Sequence, residues 1–319
     1  MAQHKALLLF EKYGEFEVNA CPTPILQKIQ ALVKVNAAEK NLPTILGVDS
    51  AGIVEVVGPE VTNFKVGDRV FSQGLYDSSD ETAFQEKVIV KTDIISKIPD
   101  NITKDKVSTI PSATIAIWEE VRPLANLVGG TSEYQFLFHI YYLPTPGLDQ
   151  GIQLARIAGF SPIVTTASAQ HANFLRSLGA TRVFDRNVDT KLSNPLPHPV
   201  SLVLDSISIA ATQEFAFEVL ITQSLVPDAH IVLMLPPTNS LKEKISGEKV
   251  AVHTAYGSSH RFKDLTMPFW RNIEQWIKDG KFVPNRVQVV KGGLAALPEA
   301  IDISRKGLSC VKIVIHSQE

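Results

Sequence analysis

Apolar and polar positions change rhythm once along this chain. Over the first hundred residues the apolar positions come in short runs, at residues 5–10, 31–35, 52–57, 69–71 and 87–90. Gly, Pro, Asp and Asn interrupt them, with turn signals at Gly58-Pro59 and Val66-Gly67-Asp68. Short β-rich runs at this spacing predict a small barrel or a pair of twisted sheets. Beyond Pro111 the pattern alternates. Strands are predicted at 136–143, 162–166, 182–184, 200–204 and 230–235. Helices are predicted at 151–158, 169–178 and 210–220, the first two closed by Gly159 and Gly179, which fit the position after a helix end. Strand–helix alternation with nearly continuous apolar strands predicts a parallel sheet covered on both faces, which binds ligand at the carboxyl ends of its strands.

A polar stretch at 239–249 precedes a helix that carries Trp270, Ile273 and Ile277 on one face and stops at Gly280. That stripe reads as a core or subunit-contact face. Strands at 286–290 and 310–316 flank a helix at 294–306. Residues 185–199 and 235–263 read as long irregular segments, which are often functional. Cys21 falls in a predicted loop and Cys310 opens a strand.

Composition narrows the function classes. The 319 residues suggest two domains. A formal net charge of -2 with no polybasic run argues against nucleic acid as a partner. Two cysteines are too few for a disulfide framework or a four-thiolate zinc site. No run is long enough to span a bilayer, and the apolar run at 6–10 is too short for a signal peptide, so a cytoplasmic protein is expected. No nucleophile elbow and no Gly-Lys-Ser/Thr phosphate loop occurs.

Several motifs carry a resemblance. Leu46-Gly47-Val48-Asp49-Ser50-Ala51-Gly52 with Phe64-Lys65-Val66-Gly67-Asp68-Arg69-Val70 resembles the GroES-like domain of medium-chain dehydrogenases/reductases. Ile152-Gln153-Leu154-Ala155-Arg156 resembles their first nucleotide-binding helix, and Leu178-Gly179-Ala180 their next helix–strand junction. Gly292-Gly293-Leu294 and Val311-Lys312-Ile313-Val314 resemble the C-terminal return to the first domain. The chain is most similar to zinc-free fungal enoyl-reductase-like and quinone-oxidoreductase-like members. The resemblance implies an α/β fold, with a GroES-like β-rich catalytic domain at 1–108 and 284–319 and a Rossmann doubly wound sheet at 109–283. It also implies an active site in the cleft, a small-molecule substrate and a homodimer.

Zinc-dependent relatives carry a His-Glu pair where this chain has Val48-Asp49, and no cysteine lies in the shortened first-ligand region at 36–43. No metal is therefore expected. The turn that should cradle a pyrophosphate runs Tyr141-Tyr142-Leu143-Pro144-Thr145-Pro146-Gly147-Leu148-Asp149. Gly147 survives there. Pro144 and Pro146 each remove an N–H donor, and Asp149 adds a negative charge. The second strand ends Thr165-Thr166-Ala167-Ser168 without the acid that bonds the ribose of NAD. Hydroxyls at Thr166 and Ser168, with Arg186, suit a 2′-phosphate, so NADPH is the expected cofactor. The same threonines are also ordinary strand formers. By resemblance, Ser112, Thr114, Ser206, Ile207 and Leu235 face the nicotinamide. Tyr76 and Tyr141 are candidate proton donors alongside water, and His139 reads as a core histidine.

The sequence therefore predicts a zinc-independent, NADPH-dependent oxidoreductase, with a place in fungal secondary metabolism suggested by the resemblance. The alternative is a cofactor-free relative that binds a small molecule or catalyses a non-redox step, because the nucleotide turn is altered.

Overall fold

The short runs at the start of the chain become strands because β-branched residues alternate with turn formers too closely for helices to nucleate. The structure, a computed structural model, describes residues 2–11, 14–33, 44–75, 78–127, 135–139, 148–185, 199–221, 225–308 and 311–319. Its contacts divide the chain into two units, Met1–Ile115 with Ser258–Glu319, and Ala116–Gly257.

The first unit opens with β1 (Gln3–Leu9), β2 (Phe16–Pro22), β3 (Gln30–Val33), β4 (Thr44–Ile45), β5 (Asp49–Val57), β6 (Arg69–Gln73), β7 (Val88–Lys91) and β8 (Ile95–Lys97). A three-stranded sheet has the order β2-β1-β4, and a five-stranded antiparallel sheet the order β7-β3-β5-β6-β8. Val54, Val70, Val88, Val90 and Ile95 fill the core of the larger sheet. Cys21 lies in β2 opposite His4, not in a loop. The exposed positions of β2 hid that strand, because an edge strand needs few apolar residues. Next come α1 (Lys104–Val107) and α2 (Pro111–Leu127), which belongs to the second unit from Ala116 on. Pro111 suits a first helical position, where its missing N–H has no partner to lose.

The second unit contains β9 (Gln135–His139), α3 (Leu148–Ile157), β10 (Ile163–Ala167), α4 (Ala172–Leu178), β11 (Arg182–Asp185), β12 (Val200–Asp205), α5 (Ala210–Ile221), β13 (Ala229–Leu233), α6 (Asn239–Lys244) and β14 (Val250–Thr254). Its sheet has the order β11-β10-β9-β12-β13-β14, with every neighbouring pair parallel. Numbered within the unit this is 3-2-1-4-5-6, the Rossmann order. Strands β10, β12 and β13 are buried throughout, which accounts for their unbroken apolar runs. The segment 235–263 is not irregular, because it contains α6 and β14. Helix α6 buries only Leu241, so it shows no periodicity, and β14 is a half-exposed edge strand.

The chain then rejoins the first unit with α7 (Lys263–Lys278), β15 (Arg286–Val290), α8 (Leu297–Arg305) and β16 (Val311–Ile315). Trp270, Ile273 and Ile277 are buried, so their stripe is core, and Trp270 packs 5.5 Å from the ring of Phe71. Leu7 of β1 shares a cluster with Val290, Leu294, Leu297 and Ile315. Among the described residues no helix is long and apolar enough to cross a membrane.

Candidate active site

In the second unit the strand order reverses between β9 and β12, where His139 and Asp205 are paired at the carboxyl ends. Open parallel sheets bind ligands outside this point. Asp205 is fully buried. Its Oδ1 accepts the backbone N–H groups of Ile207 (3.0 Å) and Ser208 (2.9 Å), and its Oδ2 accepts the Thr212 hydroxyl at 2.6 Å. Burial pushes the carboxyl above its ordinary range, against those hydrogen bonds. Ser208 Oγ donates to the Asp205 carbonyl at 2.8 Å and accepts Met234 N–H at 2.7 Å, tying the turn after β12 to the turn after β13. Gln213 Nε2 reinforces the tie by donating to Ser208 O and Pro236 O. Ser208 holds this place at φ 58°, a left-handed conformation that a serine adopts at a cost. The network sets half-buried Ser206 and Ile207 and exposed Leu235 on one edge of two adjacent strands.

At the end of β10 the candidates separate. Thr165 and Thr166 are both buried inside the strand, and Ser168 is half-buried just beyond it. Thr165 Oγ1 has no hydrogen-bond partner among the described residues. The register also sets Asp185, the last residue of β11, opposite Ala167. That acid belongs to the neighbouring strand, so the reading of β10 alone missed it. Asp149 is buried in the first turn of α3, where the helix's positive end favours a carboxylate. Tyr141, Gly147 and Arg186 lie outside the described residues, as do Tyr76 and Cys310.

In the first unit Ser112 is half-buried in the opening turn of α2. Its N–H donates to Asp49 Oδ1 at 2.8 Å and its hydroxyl to Asp49 Oδ2 at 2.7 Å. Lys312 Nζ donates to the same Oδ2 at 2.9 Å and to Thr109 O at 3.1 Å. Two residues along, Thr114 is fully buried, and its hydroxyl has no partner among the described residues. A second polar group of this unit surrounds His260. Its Nε2 faces Gln73 O at 3.1 Å, and its Nδ1 faces Lys91 Nζ at 3.3 Å. Lys91 in turn pairs with Glu81 at 3.3 Å. Burial pulls the His260 pKa down to about 4, so the ring is neutral at pH 7. Burial pushes the Glu81 carboxyl up, although Lys91 opposes it.

Relatives carry the same plan. The alcohol dehydrogenase GroES-like domain family matches residues 18–100. The chain is 31% identical over 204 residues to the trans-enoyl reductase TOXD of Cochliobolus carbonum, covering 61% of this chain and 68% of that protein. The chain belongs to the medium-chain dehydrogenase/reductase superfamily. This superfamily member is also 25% identical to the enoyl reductase component of the lovastatin nonaketide synthase of Aspergillus terreus, over 93% of this chain and 92% of that protein. The quinone oxidoreductase of Coxiella burnetii has the same fold, with a TM-score of 0.72 and 20% identity over 98% of this chain and 99% of that one.

Membership makes the chain an enoyl-reductase-like member of a group of oxidoreductases, and it implies a nicotinamide cofactor. Features that suit such a group occur in each unit taken by itself: in the second, a switch-point edge with an ordered Ser206–Ser208 turn, and in the first, a buried Thr114 hydroxyl without a partner among the described residues. A zinc centre of the kind some superfamily members carry needs at least three converging ligands; among the described residues no three His, Cys, Asp or Glu side chains are grouped to hold an ion. Asp49 is bound to Ser112 and Lys312. Sequence reasoning used Asp49 only as a missing zinc ligand and passed over Asp205. An Asp at a strand end, followed by Ser-Ile-Ser and a helix, was the available signal for Asp205.

Proposed function

We propose that this member of the superfamily is a zinc-independent NADPH-dependent reductase of activated carbon–carbon double bonds, acting on enoyl intermediates of fungal polyketide synthesis. The 3-2-1-4-5-6 parallel sheet with its locked turn after Asp205 carries the reading. The names of the relatives, which are enoyl reductases, supply the substrate class. A bound NADPH would supply the hydride for the β-carbon of the enoyl group, and a proton would be needed at the α-carbon.

The chain's own residues bind and orient. Ser206, Ile207 and Leu235 would hold the dinucleotide at the edge of β12 and β13. Ser112 and Thr114 offer polar groups suited to a carboxamide, Thr114 through its unsatisfied hydroxyl. Ser168, beyond a strand without its own terminal acid, supports the 2′-phosphate, with Thr166 and Arg186 proposed beside it. The lysine-bound Asp49 supports the zinc-independent reading. The proton comes from solvent, Tyr76 or Tyr141, and Gly147 is proposed to let the pyrophosphate approach.

Titration of the protein with NADPH and with NADH, followed by nucleotide fluorescence, tests the assignment, together with turnover of a short enoyl thioester. NADPH is expected to bind more tightly than NADH and to reduce the thioester in the presence of a chelator. No binding at millimolar NADPH would remove the reductase reading and leave the cofactor-free alternative. Preference for NADH would instead point to Asp185 as a ribose ligand.

A further inference from the structure

We infer that Asp49 and Lys312 are positioning residues that set the opening of α2, and with it the Thr114 hydroxyl. This rests on the proposed role of Ser112 and Thr114 toward the nicotinamide. The stretch Thr109–Ser112 is held from three places distant in sequence. Asp49 accepts both the N–H and the hydroxyl of Ser112, at 2.8 and 2.7 Å. Lys312 and Asn285 both donate to the carbonyl of Thr109, at 3.1 and 3.4 Å. Between these points lies Pro111, which has no N–H and a fixed φ. Thr109 O before the proline and the Ser112 N–H and hydroxyl after it are thus bound by side chains.

A helix N-terminus left to water accepts many small rotations of its first turn, because its first N–H groups have no partner inside the helix. Here a carboxylate caps it, and that carboxylate is itself fixed by a lysine ammonium at 2.9 Å. Charge-assisted bonds of this kind are short and directional. The side chains of Asp49 and Lys312 are only 16% and 23% exposed, so water competes poorly for either.

The rigidity has an evident beneficiary. Thr114 follows Ser112 by two residues, is fully buried, and spends its N–H on Ile110 O while its hydroxyl has no partner among the described residues. A helical threonine normally turns its hydroxyl to the carbonyl one turn back. Here the hydroxyl stays available, and Asp49 and Lys312 hold the turn that carries it. Their contribution would be to nucleotide affinity through Thr114, with no contact of their own to the reacting atoms.

The experiment is a double-mutant cycle on NADPH affinity with Asp49→Asn and Thr114→Val, read by nucleotide fluorescence. Thermal unfolding of each variant is recorded alongside. Each single change is expected to weaken NADPH by about tenfold, the scale of one charge-assisted hydrogen bond. The double variant should be little worse than either, since coupled residues are not additive. A residue with a merely structural role would lower thermal stability and leave affinity, below the transition, unchanged. Fully additive effects, or an Asp49→Asn protein that binds NADPH as wild type does, would overturn the inference. If Asp49→Asn does not fold, Lys312→Gln removes the cation that fixes the carboxylate and leaves both bonds from Ser112, and the same coupling to Thr114 is expected. The two levels separate cleanly. Wild-type protein that binds no nucleotide defeats the functional reading, whereas wild-type binding weakened by Thr114→Val but not by Asp49→Asn defeats this inference alone.

Discussion

Asp49 and Asp205 do the same job by opposite means. Each sits at the end of a strand, and each accepts backbone N–H groups at or just before the start of a helix. Asp205 works inside seven residues of sequence, on Ile207, Ser208 and Thr212, with no cation paired to it among the described residues and no exposure. Asp49 reaches Ser112 and Lys312, 63 and 263 residues away, and keeps some exposure. A buried carboxylate can thus be supported by local dipoles or by a distant charge. The first choice raises its pKa through desolvation and makes its hydrogen bonds costly to remove.

The largest expected effect follows from that difference. Asp205→Ala leaves the buried Ser208 N–H and the half-buried Ile207 N–H without their acceptor, in a place where the carboxylate was fully buried. The loss should be about 3 kcal/mol of unfolding free energy. Asp49→Ala removes three bonds on paper, but its partners are nearer to solvent, and about 1 kcal/mol is expected. Urea unfolding of the two variants beside wild type measures both. Equal losses would break the distinction between them.

That same contrast explains what the sequence made legible. The Rossmann unit was readable because strands β10, β12 and β13 are buried on both faces, and burial imposes unbroken apolar runs. Strand β14 and helix α6 escaped because one is a five-residue edge and the other buries a single leucine. Thr238 was a usable sign for α6, since its side chain caps the helix by accepting Leu241 N–H. The Asp205 cap is local and could be read from a strand-terminal Asp before Ser-Ile-Ser. The Asp49 cap could not, because no pattern links residues 49, 112 and 312 before the fold brings them together. Resemblance supplied the importance of Ser112 and Thr114, and the structure supplied what holds them.

Acidity sharpens the comparison, because two buried groups, Asp205 of the second unit and His260 of the first, titrate with opposite sign. Asp205 has its pKa raised above 3.8, so the folded state keeps its proton longer than the unfolded chain. Stability from this residue therefore falls as pH rises from about 3.8 through the folded value. His260, in the first unit, is pulled down from 6.5 to about 4, so the unfolded chain takes up a proton that the folded state refuses. Stability falls as pH drops from 6.5 toward 4, by roughly 3 kcal/mol in all. His260→Gln keeps a donor for the Gln73 carbonyl and has no such titration. Urea unfolding at pH 7 and pH 4 should show wild type losing more than this variant. Parallel losses would mean that His260 is not buried as a neutral ring.

The smallest effect concerns what the local solution at Asp205 costs. Ser208 stands at φ 58° so that its N–H reaches Asp205 while its hydroxyl ties Asp205 O to Met234 N–H. The hydroxyl and the strain can be separated by two substitutions. Ser208→Ala loses the hydroxyl and keeps a Cβ in the left-handed region. Ser208→Gly loses the hydroxyl and removes the clash, though it adds freedom to the unfolded chain. If strain is the larger of the two remaining quantities, the glycine variant should be the more stable by about 1 kcal/mol. Equal stability would mean that the strain at Ser208 is no larger than the freedom that glycine adds to the unfolded chain, about 1 kcal/mol. The alanine variant more stable than the glycine would go further, because flexibility would then outweigh any strain at Ser208. Either result would shift the weight of the distinction between Asp205 and Asp49 from backbone geometry toward solvation.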